Sequence, residues 1–130
     1  MLQHVTFCSQ FIAEQFAPTR KMACISITSP GKPDAVLKSG WGALLRIAFH
    51  DIGPDALGQK PFSREQAHQL REFIHQLAPD IAHLVVHCHA GLSRSPAVAR
   101  YVAKHYKLAF PANCRTYNRW VFQLLSESEK

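Results

Sequence analysis

The stretch Val86-His87-Cys88-His89-Ala90-Gly91-Leu92-Ser93-Arg94-Ser95 sets a thiol and a guanidinium at the two ends of a loop, with residues 89 to 93 between them. It follows an apolar run and precedes a segment with helical character. So short a connection must curl tightly, and Gly91 at its middle supplies the backbone freedom. Successive amide N–H groups of such a loop turn inward and form an anion nest. The helix expected from Ser95 adds its positive end. Arg94 stands at that end, where its planar fork suits two oxygens of one phosphate. What favours a bound phosphate also favours a thiolate at Cys88. A sulfur anion beneath a phosphorus atom held by amides and a guanidinium is placed for in-line displacement. A cysteine taken alone is more often a small core residue. No packing need, however, calls for Gly91, Arg94 and a helix start together around one thiol.

The string His-Cys-x-x-Gly-x-x-Arg-Ser after an apolar strand resembles the signature of the cysteine-dependent protein tyrosine phosphatases. In the form His-Cys-His-Ala-Gly-Leu-Ser-Arg-Ser-Pro it is most similar to the small dual-specificity branch. The resemblance runs from about Ala43 through Leu125, with strand, acid loop, helix, strand, phosphate loop and helix in the family's order. It implies Cys88 as nucleophile, through a phosphocysteine intermediate, and Arg94 as the phosphate-binding, transition-state-stabilising residue. It implies that the amides of His89, Ala90, Gly91, Leu92, Ser93 and Arg94 hold the equatorial oxygens. Ser95 matches a hydroxyl that assists departure of the thiolate. His87 matches a histidine that organises the loop, and Asn118 an asparagine that supports the active-site loops. The family also uses a general acid on an upstream loop. Asp51, directly after the strand ending at Phe49, is the first choice, and Asp55 is the rival. The chain lacks the long recognition insertions of tyrosine-specific domains, the extra loop lysines of phosphoinositide phosphatases, and the Arg-Thr-Gly ending of several lipid and RNA members.

The elements that must position these groups are legible as punctuation and period. Val5–Phe7 reads as a short strand, followed by a brief helix capped by Ser9 that reaches Phe16 and stops at Pro18. Met22–Ile27 and Ala43–Phe49 read as strands. Thr28–Gly40, with Pro30, Gly31 and Pro33, reads as a loop, as does 51–61. Ser63 with Gln66 forms a capping box, and Ala67, Leu70, Ile74 and Leu77 follow at helical spacing. Leu84–Val86 is an apolar strand of the kind buried in a parallel sheet. Helices are expected from Ser95 to Tyr106 and from Thr116 to Ser126, leaving 127–130 as a polar tail. Trp120, Val121, Leu124 and Leu125 form the last helix's core stripe. Strand and helix alternate, so the expected architecture is α/β, a single phosphatase domain over 1–130 with a central, mainly parallel sheet flanked by helices.

Length and composition agree with this picture. One hundred and thirty residues, 47% hydrophobic and 18% charged, suit one globular core. No apolar run nears the roughly 20 residues of a membrane span. The N-terminus shows no basic region followed by an apolar run, so a cytoplasmic protein is expected. The four cysteines follow no disulfide or zinc spacing, and Cys8, Cys24 and Cys114 are expected as core thiols. A metal on His50, His83, His87 or His89 would occupy the thiolate and block the nest, so no metal and no cofactor is expected. The net charge of +6 favours anionic partners. The basic residues are spread out, and no nucleic-acid or membrane partner is expected. The expected function is hydrolysis of phosphate monoesters, on phosphorylated protein or on a small phosphate ester. A phosphoprotein-binding module with little turnover is the alternative from another class.

Overall fold

Every strand of the sheet runs the same way. In this computed structural model, which describes residues 1–54 and 57–127, the strands are β1 (His4–Ser9), β2 (Met22–Thr28), β3 (Ala43–Ala48) and β4 (His83–Cys88). They pair in the order β1-β4-β2-β3, all parallel, where a mainly parallel sheet was expected. Parallel strands need long crossovers, and the helices α1 (Gln10–Ala13), α2 (Arg64–Leu77), α3 (Arg94–Tyr106) and α4 (Arg119–Glu127) lie in or after them.

The period of two divides β4, the strand between β1 and β2. Leu84, Val86 and Cys88 join the main core with Ala97, Val98 and Val102 of α3, while Val85 and His87 take the other face. β2 divides likewise, Ala23, Ile25 and Ile27 against Cys24 and Ser26. Each fully buried Val or Leu contributes on the order of 1.5–3 kcal/mol, and this packing fixes where β4 ends. The α2 capping box is present, with Ser63 and Gln66 exchanging two bonds of 3.1 Å. Gln66 Nε2 also donates to the Ala48 carbonyl at 2.8 Å, tying α2 to the end of β3. Ala67, Leu70, Ile74 and Leu77 are buried as their spacing predicts.

Four helix boundaries differ from expectation. α1 is a single turn rather than a helix to Phe16. Gln15 and Phe16 continue only as i→i−3 bonds to Ile12 and Ala13, a tightened end before Pro18. α3 opens at Arg94, one residue earlier than expected. α4 opens at Arg119 rather than Thr116, because Asn118 Oδ1 accepts from Val121 N at 3.0 Å and caps it. Glu127, expected in the polar tail, closes α4 and pairs with Arg64 at 3.1 Å. Among the described residues no helix is long and apolar enough to cross a membrane.

Candidate active site

Parallel strands put their carboxyl ends along one edge, where α/β sheets receive ligands. Ser9, Thr28, Ala48 and Cys88 end the four strands, and the expected site residues gather just beyond them. The loop from Cys88 lies against the end of β1. Gly91 adopts φ +75°, and a Cβ there would stand 2.5 Å from both Cys8 C and Ser9 N. The left-handed backbone and the close approach both require glycine. Gln10 N donates to the His89 carbonyl at 3.1 Å and holds the loop from the same side. No backbone N–H from His89 to Ser93 donates to an acceptor among the described residues. These donors stand open at the start of α3, and a helix N-terminus with free N–H groups favours an anion.

Cys88 is 3% exposed. Its Sγ lies 3.4 Å from Ser95 N and 3.2 Å from Ser95 Oγ, both in the first turn of α3. Ser95 Oγ also lies 3.4 Å from the Cys8 carbonyl. The sulfur thus meets an amide donor and a hydroxyl of one helix start. Arg94 is buried, and Nη1 donates to the Phe49 carbonyl at 2.8 Å and to Ser29 Oγ at 3.1 Å. Those contacts anchor one nitrogen. Nε and Nη2 carry no hydrogen bond to a described residue, which leaves the fork's other donors for a ligand.

Asp51 is exposed, three residues beyond the end of β3. Its Oδ1 accepts from Ser93 Oγ and from Asn118 Nδ2, each at 2.8 Å. Asn118 also reaches the Ile52 carbonyl at 3.3 Å and donates its own N–H to the Ser93 carbonyl at 3.0 Å. One asparagine therefore links the acid loop, the thiol loop and α4. Asp55 lies outside the described residues.

His87 is fully buried. Its Nε2 meets Ser26 Oγ at 2.6 Å and its Nδ1 meets the Cys88 carbonyl at 3.3 Å. Burial pushes its pKa below 6.5, against a smaller raising contribution from the bond to Cys88. A neutral ring satisfies both contacts if Nδ1–H donates to the carbonyl and Nε2 accepts from Ser26, a tautomer assigned from those partners. His87 thus holds the backbone of Cys88 without adding a charge.

Other cysteines and histidines have separate places. Burial pushes the Cys8 thiol up to about 11, with Cys88 adding to it, and the Cys24 thiol up to about 12. Cys24 is buried, whereas Cys8 and Cys114 are only partly so, short of the core positions expected. His83 bonds Thr6 at 2.7 Å, and His50 Nδ1 accepts from Lys60 N at 2.8 Å. Among the described residues no three His, Cys, Asp or Glu side chains gather as a metal site would need.

Sequence reasoning brought Cys88, Arg94, Ser95, Asp51 and Asn118 to one place. It missed the second role of Ser93, whose hydroxyl holds Asp51, and the anchoring of Arg94 by Ser29 and Phe49. Ser29 carries a readable signal, since it directly follows the end of β2. The Phe49 contact uses a main-chain carbonyl, which no side-chain type announces.

No protein-family model and no curated protein matches the chain. Solved structures do. Human tyrosine phosphatase-like serine/threonine/tyrosine-interacting protein is similar at 17% identity over 82% of this chain and 74% of its own, with a TM-score of 0.55. Human DUSP28 is similar at 18% identity over 96% and 78%, with a TM-score of 0.55. Together with the parallel sheet and the loop between β4 and α3, these likenesses show that the chain has the dual-specificity phosphatase fold.

Proposed function

We propose that the chain hydrolyses phosphate monoesters, with phosphotyrosine and other phosphorylated residues of proteins as its substrate class. The observation that carries this reading is the bond from Ser93 to Asp51. It brings a carboxyl group onto the same short loop that turns from Cys88 to Arg94. That supports a reading in which nucleophile, anion nest and proton donor act on one phosphoryl group, as a two-step displacement requires.

In the first step Cys88 Sγ forms a bond to phosphorus while the bond from phosphorus to the ester oxygen breaks. The open amides of residues 89–93 and the fork of Arg94 hold the three equatorial oxygens. Asp51 gives its proton to the departing oxygen. In the second step water attacks phosphorus, Asp51 takes its proton, and the sulfur leaves as thiolate. Ser95, with N–H at 3.4 Å and hydroxyl at 3.2 Å, stabilises that thiolate. His87 and Asn118 are positioning residues, acting through the Cys88 backbone and the Asp51 carboxylate.

The fold alone does not decide turnover, since a phosphatase-like interacting protein shares it. A phosphate-binding module is therefore the second reading, and the residues at 88, 94 and 95 argue against it. The deciding measurement is aryl-phosphate turnover by the purified chain, wild type beside Cys88→Ser, with vanadate as inhibitor. Turnover that vanadate suppresses and Cys88→Ser abolishes supports the covalent route. Turnover that persists in Cys88→Ser removes it, and no turnover by wild type with retained phosphopeptide binding gives the module reading.

A further inference from the structure

Beside the thiol loop opens a chamber of about 430 Å³, lined by Gln10, Thr28, Ser29, Lys32, Pro33, His89 and Arg94. Its volume falls within the roughly 300–1,000 Å³ of small-ligand sites, more than a phosphoryl group alone needs. It shares His89 and Arg94 with the phosphate loop, so whatever fills it sits next to the phosphate being removed. Among the described residues no acidic side chain lines it. Lys32 contributes a cation with no ion pair among the described residues, even though Asp34 is two residues away.

Lys32 is placed there by the backbone. Its N–H donates to the Ser29 carbonyl at 3.1 Å, closing a four-residue turn. Pro30 and Gly31 fill the middle positions, and Gly31 has φ +84°. Pro at the second place and a positive-φ Gly at the third make a type II turn, and Pro33 stiffens the exit. Ser29, the first residue of this turn, is the one that bonds Arg94 Nη1 at 3.1 Å. The phosphate-binding guanidinium and the backbone of Lys32 are therefore tied through three consecutive peptide bonds, and the exposed Lys32 side chain reaches the chamber from that fixed point.

We propose that this chamber is a specificity subsite for a second anionic group of the substrate, a carboxylate or a further phosphate close to the scissile one, with Lys32 selecting it. The proposal rests on the phosphatase reading and deepens it. Gln10, Thr28 and Ser29 supply neutral polar groups around the cation, so an anion entering there finds hydrogen-bonding side chains as well as charge.

The test compares kcat/KM for two matched pairs of substrates. One pair is phosphotyrosine peptides that differ only by Glu or Gln beside the phosphoresidue. The other is a phosphorylated hydroxybenzoate and its carboxamide. Wild type is expected to favour the anionic partner at least about fivefold at low salt, less at high salt. Lys32→Met should bring the ratio close to one, and Lys32→Glu should invert it. A Lys32-dependent preference in either pair supports the subsite, and the pair that shows it separates a polypeptide source from a small ester. Equal kcat/KM within both pairs, or a preference that survives both Lys32 variants, overturns it. Should wild type turn over no substrate, the phosphatase reading fails instead. The same ratios, then taken from Kd by fluorescence anisotropy of the labelled peptides, decide the subsite under the same criteria.

Discussion

Asp51 commits one oxygen to architecture, and the proposed proton transfer falls to the other. Oδ1 takes both the Ser93 hydroxyl and the Asn118 amide, whereas Oδ2 has no partner among the described residues. A carboxyl group anchored in this way can give a proton without moving its loop. Asp51→Asn keeps the shape and an acceptor oxygen but removes the acid. It should lower kcat by about 10²–10⁴ for a poor leaving group such as a tyrosyl oxygen. The loss should shrink several-fold or more for a nitrophenyl ester, whose oxygen leaves without a proton. Steady-state kinetics on the two substrate types checks this. A loss of equal size on both, with Asp55→Asn showing the leaving-group dependence, moves the acid to position 55.

At the scale of elements, the loop between β4 and α3 depends on how closely it can lie against β1. Gly91 is where that distance is set, and Gly91→Ala adds two penalties. The left-handed backbone costs an alanine about 1–2 kcal/mol. The new Cβ, 2.5 Å from Cys8 C and Ser9 N, forces backbone to separate from backbone. Differential scanning calorimetry should show Tm lower by at least about 5 °C, and aryl-phosphate turnover should fall more than tenfold as the nest opens. Wild-type values for both would show that the loop relaxes without cost. The same element shows what sequence can and cannot convey. β4, its loop and α3 are readable because an apolar run, a glycine and a proline-tolerant helix start follow one another within a few residues. The α2 capping box is readable because both partners lie three residues apart. The Asp51–Ser93–Asn118 link joins segments that only the sheet order brings together, and Asn118 starts α4 with a side chain whose role as cap depends on the local backbone. The segment holding the Lys32 turn was legible only as a loop, from Pro30, Gly31 and Pro33. What it faces depends on the Ser29 to Arg94 bond across the strand edge.

For the molecule as a whole, the buried and half-buried titratable groups frame a pH range of greatest stability. His87 and His83 both have pKa values pushed below 6.5, chiefly by burial. The unfolded chain takes up protons on them near 6.5, while the folded protein does so only at lower pH. Below about 6.5 the unfolded state therefore binds more protons, and stability falls as pH falls through the lowered values. Cys8 and Cys24 act at the other end. Their thiols titrate at about 11 and about 12 in the folded protein against 9.0 when unperturbed. The folded state then holds protons that the unfolded state has released, so stability is present below about pH 9 and is lost as pH rises through 11 to 12. Urea unfolding at pH 5.5, 7.5 and 10 should give the largest free energy at 7.5, with a decline on both sides. His87 is the more informative position, because its ring has no solvent contact and holds both Ser26 and the Cys88 carbonyl. His87→Asn should lower stability at pH 7.5 by losing those contacts, and should flatten the decline between 7.5 and 5.5 by removing a group that must charge. An acid decline as steep in His87→Asn as in wild type would place the responsible protons elsewhere, with His83 as the next residue to replace.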